Sequence, residues 1–123
     1  MLTLSIDCAG NGCGVAMLRD GAVLAEAAES MQRGQDQRLM PMILDIMEHS
    51  GTAFEQLDRI AATRGPGSFT GIRIGLAAAR GLGLALDKPV LGIDRFAIYH
   101  EALKTSGKDH FIIIDSRRDE LYC

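Results

Sequence analysis

The chain has few of the features that mark membrane, metal or nucleic-acid proteins. Its three cysteines are odd in number and spaced neither as a disulfide framework nor as a zinc site. Thirteen basic and 16 acidic residues give a net charge of −3, so an RNA substrate would require a more basic partner. The N-terminus has no basic leader, and we expect no membrane-spanning segment. These absences predict a soluble protein of a reducing cytoplasm.

Catalytic groups are also scarce. His49, His100 and His110 lie on different predicted elements, without the i, i+4 spacing that places two imidazoles on one helical face. Ser68 does not belong to a GxSxG motif, and no histidine follows it at a spacing that would activate it. We therefore expect no catalytic residue and no metal site.

What the chain does contain is an alternation of short apolar runs and helical periodicity. The predicted order is three strands, a helix, a strand, a helix, a strand, a helix and a final strand, and Asp20-Gly21 indicates a hairpin. The ranges are 1–6, 14–18, 22–28, 36–50, 60–63, 70–86, 89–93, 96–104 and 111–114. This β-β-β-α-β-α-β-α order predicts an α/β fold with a mixed sheet, antiparallel first and parallel later.

A glycine-rich loop interrupts the fourth strand and opens into the second helix. Its sequence from Arg64 to Gly75 lacks the lysine of a P-loop and spaces its glycines as GxGxxxG, unlike the dinucleotide motif. Glycines allow close backbone approach, and a helix N-terminus favours negative charge. The segment is therefore either a phosphate-binding loop or a docking loop. Its candidate residues are Asp7, Gly65, Pro66, Gly67, Ser68, Phe69, Thr70 and Gly71.

The first two helices present more apolar and small-residue surface than one core contact requires. The first helix has two apolar lines, and the second has small residues at four-residue spacing, although interior glycines cost about 1 kcal/mol each. Packing on the chain's own sheet would explain one such ridge. We interpret the excess as a partner surface. The predicted interface residues are Leu39, Met40, Ile43, Met47, Arg73, Gly75, Ala79 and Arg80.

Five segments together resemble the TsaB (YeaZ) family over essentially the whole chain. The most specific is the GPGSFTG string, residues 65–71. The others are LSID at 4–7, RLMPMI at 38–43, KPVLGI at 88–93 and IDSRRDELY at 114–122. The resemblance implies an actin-like, ribonuclease H-like fold. It divides the chain into an N-terminal lobe at 1–108 and the first strands of a truncated second lobe at 109–123, where strand, aspartate and polar turn repeat the opening pattern.

The resemblance also implies a function. Members support synthesis of N6-threonylcarbamoyladenosine (t6A) at adenosine 37 of tRNA, as non-catalytic paralogues that bind the transferase TsaD, with the ATPase TsaE joining the assembly. We therefore expect a scaffold subunit with no required cofactor, able to form a homodimer, and in contact with tRNA only through the complex. Gln35-Asp36-Gln37 stands where members commonly have His-Ser-Glu.

Two alternatives remain open. The first is a phosphotransferase of actin-like fold that binds ATP and Mg²⁺ weakly through Asp7 and the 65–71 loop. The second is a metalloprotease of the M22 type, an older description of this family, and the lack of paired histidines disfavours it.

Overall fold

A computed structural model describes residues 1–104, 107, 109, 111–115 and 121–122. Its strands are β1 (Leu2–Asp7), β2 (Gly12–Arg19), β3 (Ala22–Ser30), β4 (Arg59–Gly65), β5 (Val90–Asp94), β6 (Ile114–Asp115) and β7 (Leu121–Tyr122). Its helices are α1 (Gln35–Ser50), α2 (Phe69–Leu86) and α3 (Arg95–Leu103), with a 3₁₀ turn at Phe54–Gln56.

Five strands form one mixed sheet in the order β3-β2-β1-β4-β5. The β1–β2 and β2–β3 pairs are antiparallel, whereas β4 pairs parallel with both β1 and β5. Asp20 and Gly21 turn the chain between β2 and β3 with positive φ angles of 51° and 85°, as an Asp-Gly hairpin requires. The predicted α/β class, element order and mixed sheet are confirmed.

The end of the chain departs from the prediction. Residues 111–113 are not strand, and β6 begins only at Ile114. It pairs antiparallel with β7 in a separate two-stranded sheet. The polar turn predicted at 116–119 and Cys123 lie outside the described residues, and the division at residue 108 stays a prediction.

The hydrophobic core lies between the sheet and the paired helices α1 and α2. Alternate residues of the central strands point toward these helices, so the sheet contributes every second side chain. The core side chains from the strands include Leu4, Ile6, Val15, Met17, Ile60 and Ala62. From α1 they are Leu39, Met42, Ile43, Ile46 and Met47.

This packing places five of the predicted interface residues inside the chain's own core. The buried residues among them are Leu39, Ile43, Met47, Gly75 and Ala79. The small-residue ridge of α2 faces its own sheet, because a Cβ on Gly75 would lie 3.5 Å from the Ile6 side chain. The close approach that the glycines predicted therefore exists, but within one chain.

The length of α2 does not by itself decide the expectation of no membrane-spanning segment. Its 18 residues are long and apolar enough, by length and composition alone, to cross a membrane. Core helices of soluble proteins pass the same test, and α2 packs on β4 and β1. In this structure α2 is therefore one of the helices that pack on the five-stranded sheet.

Candidate functional site

The glycine loop lies against the turn that joins β1 to β2. The backbone N–H of Ser68 donates to the carbonyl oxygen of Ala9 at 2.9 Å. A Cβ on Gly67 would lie 2.3 Å from that same oxygen, so only glycine allows this approach. The Gly65-Pro66 peptide bond is cis. In this structure the loop is docked on the chain itself.

The N-terminus of α2 completes this contact. Ser68 is the N-cap, and its hydroxyl accepts a hydrogen bond from the N–H of Gly71 at 3.2 Å. A Cβ on Gly71 would lie 1.9 Å from the carbonyl oxygen of Cys8. Two N–H groups that could have faced a phosphate are thus used inside the protein, while Phe69 and Thr70 are exposed.

Asp7 stabilises the turn between β1 and β2 through a side-chain hydrogen bond. Its Oδ1 accepts a hydrogen bond from the N–H of Ala9 at 3.0 Å, which is an Asx turn. The residue is exposed at the end of β1. Its carboxylate therefore shapes the surface on which the glycine loop docks.

Arg95 joins three parts of the site, and no sequence pattern pointed to it. Its Nη1 donates to the carbonyl oxygens of Pro66, at 3.3 Å, and Ala9, at 3.5 Å. Its Nη2 donates to the hydroxyl of Tyr99, also at 3.3 Å. A cavity of about 540 Å³ opens beside it, lined also by Ser68 and Asn11. The only available signal was its position directly after a strand that ends in Asp94.

Two cysteines lie beneath the docked loop. The sulfurs of Cys8 and Cys13 are 3.0 Å apart, and both residues are buried and free. Burial raises the pKa of the Cys8 thiol far above its usual range, and the hydrogen bond with Cys13 adds to this effect. Cys8 is therefore a neutral thiol at physiological pH.

A separate candidate surface lies on the outer sides of α1 and α2. Met40 and Leu44, one helical turn apart on α1, are 38% and 52% exposed. On α2, Phe69 and Leu84 are 65% and 87% exposed. Of the predicted interface residues, Met40, Arg73 and Arg80 are thus the ones on the outside.

Arg73 is also held in place on this surface. Its guanidinium lies 5.1 Å from the ring centroid of Phe69, one turn earlier on α2. An aromatic ring and a cation are therefore presented together, a combination common at protein interfaces.

Within the residues that the structure describes, no group of three His, Cys, Asp or Glu side chains is arranged to hold a metal ion. The docked loop is held by hydrogen bonds, and the outer sides of the helices offer apolar contact.

Three comparisons place this geometry among known proteins. A family model described as "TsaD: tRNA N6-adenosine threonylcarbamoyltransferase" matches residues 22–123. The tRNA threonylcarbamoyladenosine biosynthesis protein TsaB of Escherichia coli (strain K12) is 39% identical over 99% of this chain and 53% of its own length. The chain spans about half the length of the curated relatives it matches.

Solved structures agree with the sequence relatives. YeaZ from Pseudomonas aeruginosa is 37% identical with a TM-score of 0.87, over 98% of this chain and 57% of that one. RuvC of T. thermophilus, solved with a Holliday junction substrate, has a TM-score of 0.58 at 12% identity. The match covers 88% of this chain and 73% of the RuvC chain. The RuvC likeness shows a shared ribonuclease H-like fold alone. The chain belongs to the family described by the TsaD model and, within it, to the TsaB (YeaZ) group.

Proposed function

We propose that this chain is a non-catalytic scaffold subunit in the synthesis of threonylcarbamoyladenosine in tRNA, and that it binds a TsaD-like transferase through the outer sides of α1 and α2. Support for the pathway comes from the names of its relatives, which are tRNA threonylcarbamoyladenosine biosynthesis proteins. A TsaE-like ATPase would join the same assembly, in the cytoplasm.

The observation that carries the proposal is the exposed apolar line on α1. Met40 and Leu44 are exposed on α1, to one side of its buried stripe. A helix that buries one stripe in its own core and exposes a second apolar pair is suited to packing against another helix. On α2, Phe69, Arg73 and Leu84 are also exposed.

Charge favours indirect contact with tRNA. The chain has a net charge of −3, and phosphate contacts, which dominate nucleic-acid affinity, require clustered lysine and arginine. In this proposal the basic surface is supplied by a partner, and this chain positions the transferase.

The test is co-purification of the full chain with the TsaD protein of the same organism. Met40→Glu and Leu44→Glu each place a charge in the proposed contact, where desolvation is costly. We expect each to weaken the complex at least about tenfold, as for a central interface residue. Native mass spectrometry measures the complex and also distinguishes a heterodimer from a homodimer.

Val23→Glu is the matched control. Val23 is an apolar residue that is 53% exposed, but it lies on the edge strand β3. This variant should bind TsaD as the unmodified chain does. Folded Met40→Glu and Leu44→Glu variants that still bind TsaD with unchanged affinity would overturn the proposed surface. Calorimetry with ATP and Mg²⁺ tests the phosphotransferase alternative, and turnover there would overturn the scaffold function.

A further inference from the structure

The β1–β2 turn brings two thiols together at its base. Asp7 and Gly14 are the last register pair between β1 and β2, so Cys8 and Cys13 occupy the next opposed positions. Their sulfurs are 3.0 Å apart, and both side chains are buried. The contacts of the docked loop use backbone atoms of Cys8 and Ala9, and they do not require the thiol of Cys13.

The backbone geometry at this position suits a disulfide. Opposed residues of antiparallel strands have Cα atoms about 4.5–5.5 Å apart, which falls within the range of about 4.4–6.8 Å found for disulfides. A disulfide bond is about 2.05 Å long, so the two sulfurs of Cys8 and Cys13 need to approach by only about 1 Å. Rotation about the side-chain bonds can supply that movement without a change of strand register.

Cys13 borders a hollow on the molecular surface. This hollow has a volume of about 240 Å³ and is lined in part by Cys13, together with Asn11 and Gly12. Cys8 lies deeper, under the α2 backbone at Gly71 and Gly75. Of the two residues, Cys13 is the one that borders this hollow.

We propose that Cys8 and Cys13 are a reversible modification site, at which a hydroperoxide converts the two thiols into an intramolecular disulfide. The Cys13 sulfur attacks one peroxide oxygen and forms a sulfenic acid, and the hydroxide released takes up the proton that Cys13 lost, giving water. The Cys8 sulfur then attacks the Cys13 sulfur, and its proton leaves with the sulfenic oxygen as water. Overall, two thiols and one hydrogen peroxide give one disulfide and two waters.

The bond would act on the surface where the glycine loop docks. It closes the short loop from Cys8 to Cys13, and Ala9, between them, accepts the hydrogen bonds from Ser68 and Arg95. Closing a loop restricts the unfolded chain, so the oxidised form should resist denaturation better than the reduced form. This inference does not depend on TsaD binding.

The experiment uses the whole chain with Cys123→Ser, which leaves the two thiols in question. The protein is treated with hydrogen peroxide, denatured and alkylated. We expect a mass loss of about 2 Da from the two thiol hydrogens, with no alkyl groups added, and recovery of two alkylatable thiols after dithiothreitol. A crosslinked peptide containing both cysteines locates the bond, and urea denaturation should show a higher midpoint for the oxidised protein.

Cys13→Ser in the same background is the control. It should show no loss of 2 Da and no peroxide-dependent rise of the urea midpoint. The proposal is overturned if the chain with both cysteines keeps two alkylatable thiols at peroxide concentrations that oxidise free cysteine. Accumulation of sulfinic acid at Cys13 without the crosslink would overturn it equally, since the Cys8 sulfur would then have failed to intercept the sulfenic acid.

Discussion

Gly71 and Gly81 show that glycines on one helix have different roles. Both lie in α2, where alanine would normally be preferred by about 1 kcal/mol. At Gly71 a Cβ would lie 1.9 Å from the backbone oxygen of Cys8, whereas at Gly81 it would meet nothing within 4 Å. Contact with another backbone, rather than helix propensity, therefore explains Gly71.

The two positions should respond oppositely to alanine. Gly71→Ala forces α2 away from the β1–β2 turn, and we expect it to lower the free energy of unfolding by about 2 kcal/mol or more. Gly81→Ala should raise it by up to about 1 kcal/mol. Urea denaturation measures both, and equal effects of the two substitutions would contradict the close contact at the docked loop.

The helix α2 depends on its first turn as well as on its buried face. Ser68 caps the helix through the N–H of Gly71 and docks the loop through its own N–H on Ala9. Only the first of these bonds uses the side chain. Substitution can therefore remove the cap and leave the docking bond in place.

Ser68→Ala should lower the free energy of unfolding by about 1 kcal/mol, the usual cost of losing an N-cap. Ser68→Thr keeps a hydroxyl and should lose clearly less. Thr70→Ala, at an exposed position in the same turn, is the control for a general effect of alanine there. Hydrogen exchange at the amides of 69–72 reports the first turn directly, and unchanged protection in Ser68→Ala would argue against the cap.

The stability of the whole fold should depend on alkaline pH through Cys8. Burial raises the pKa of its thiol in the folded protein, so the unfolded chain loses this proton at a lower pH than the folded chain does. The neutral thiol thus contributes stability that is complete below the unfolded pKa, near 9, and is lost as pH rises above it.

For the reduced protein we expect the free energy of unfolding to fall above pH 9 by about 1.4 kcal/mol per pH unit from this group. Lysines and tyrosines also titrate there, so the measurement is the difference in slope between the unmodified chain and Cys8→Ala. Parallel slopes from pH 8 to pH 10 would show that Cys8 ionises equally easily in both states.

Turns and helices that depend on residues close together in the chain can be predicted from the amino-acid sequence alone. The Asp20-Gly21 hairpin and the apolar periodicity of α1 and α2 depend on residues only a few positions apart. Turn conformation and helical spacing are local properties, so the α/β class and the mixed sheet followed from them. The candidate loop was identified for the same reason, since its glycines predicted close approach.

Contacts between distant residues were decided by packing. Two apolar lines of α1 satisfied helical periodicity equally, and only the sheet beneath the helix made Leu39 a core residue and left Met40 outside. The glycine ridge indicated a close contact but not its partner, which proved to be the sheet of the same chain, at Ile6 of β1 and Val90 of β5. Arg95 reached Ala9 and Cys8 met Cys13 because strand order and register brought them together, and these depend on the sum of many weak contacts across the whole core.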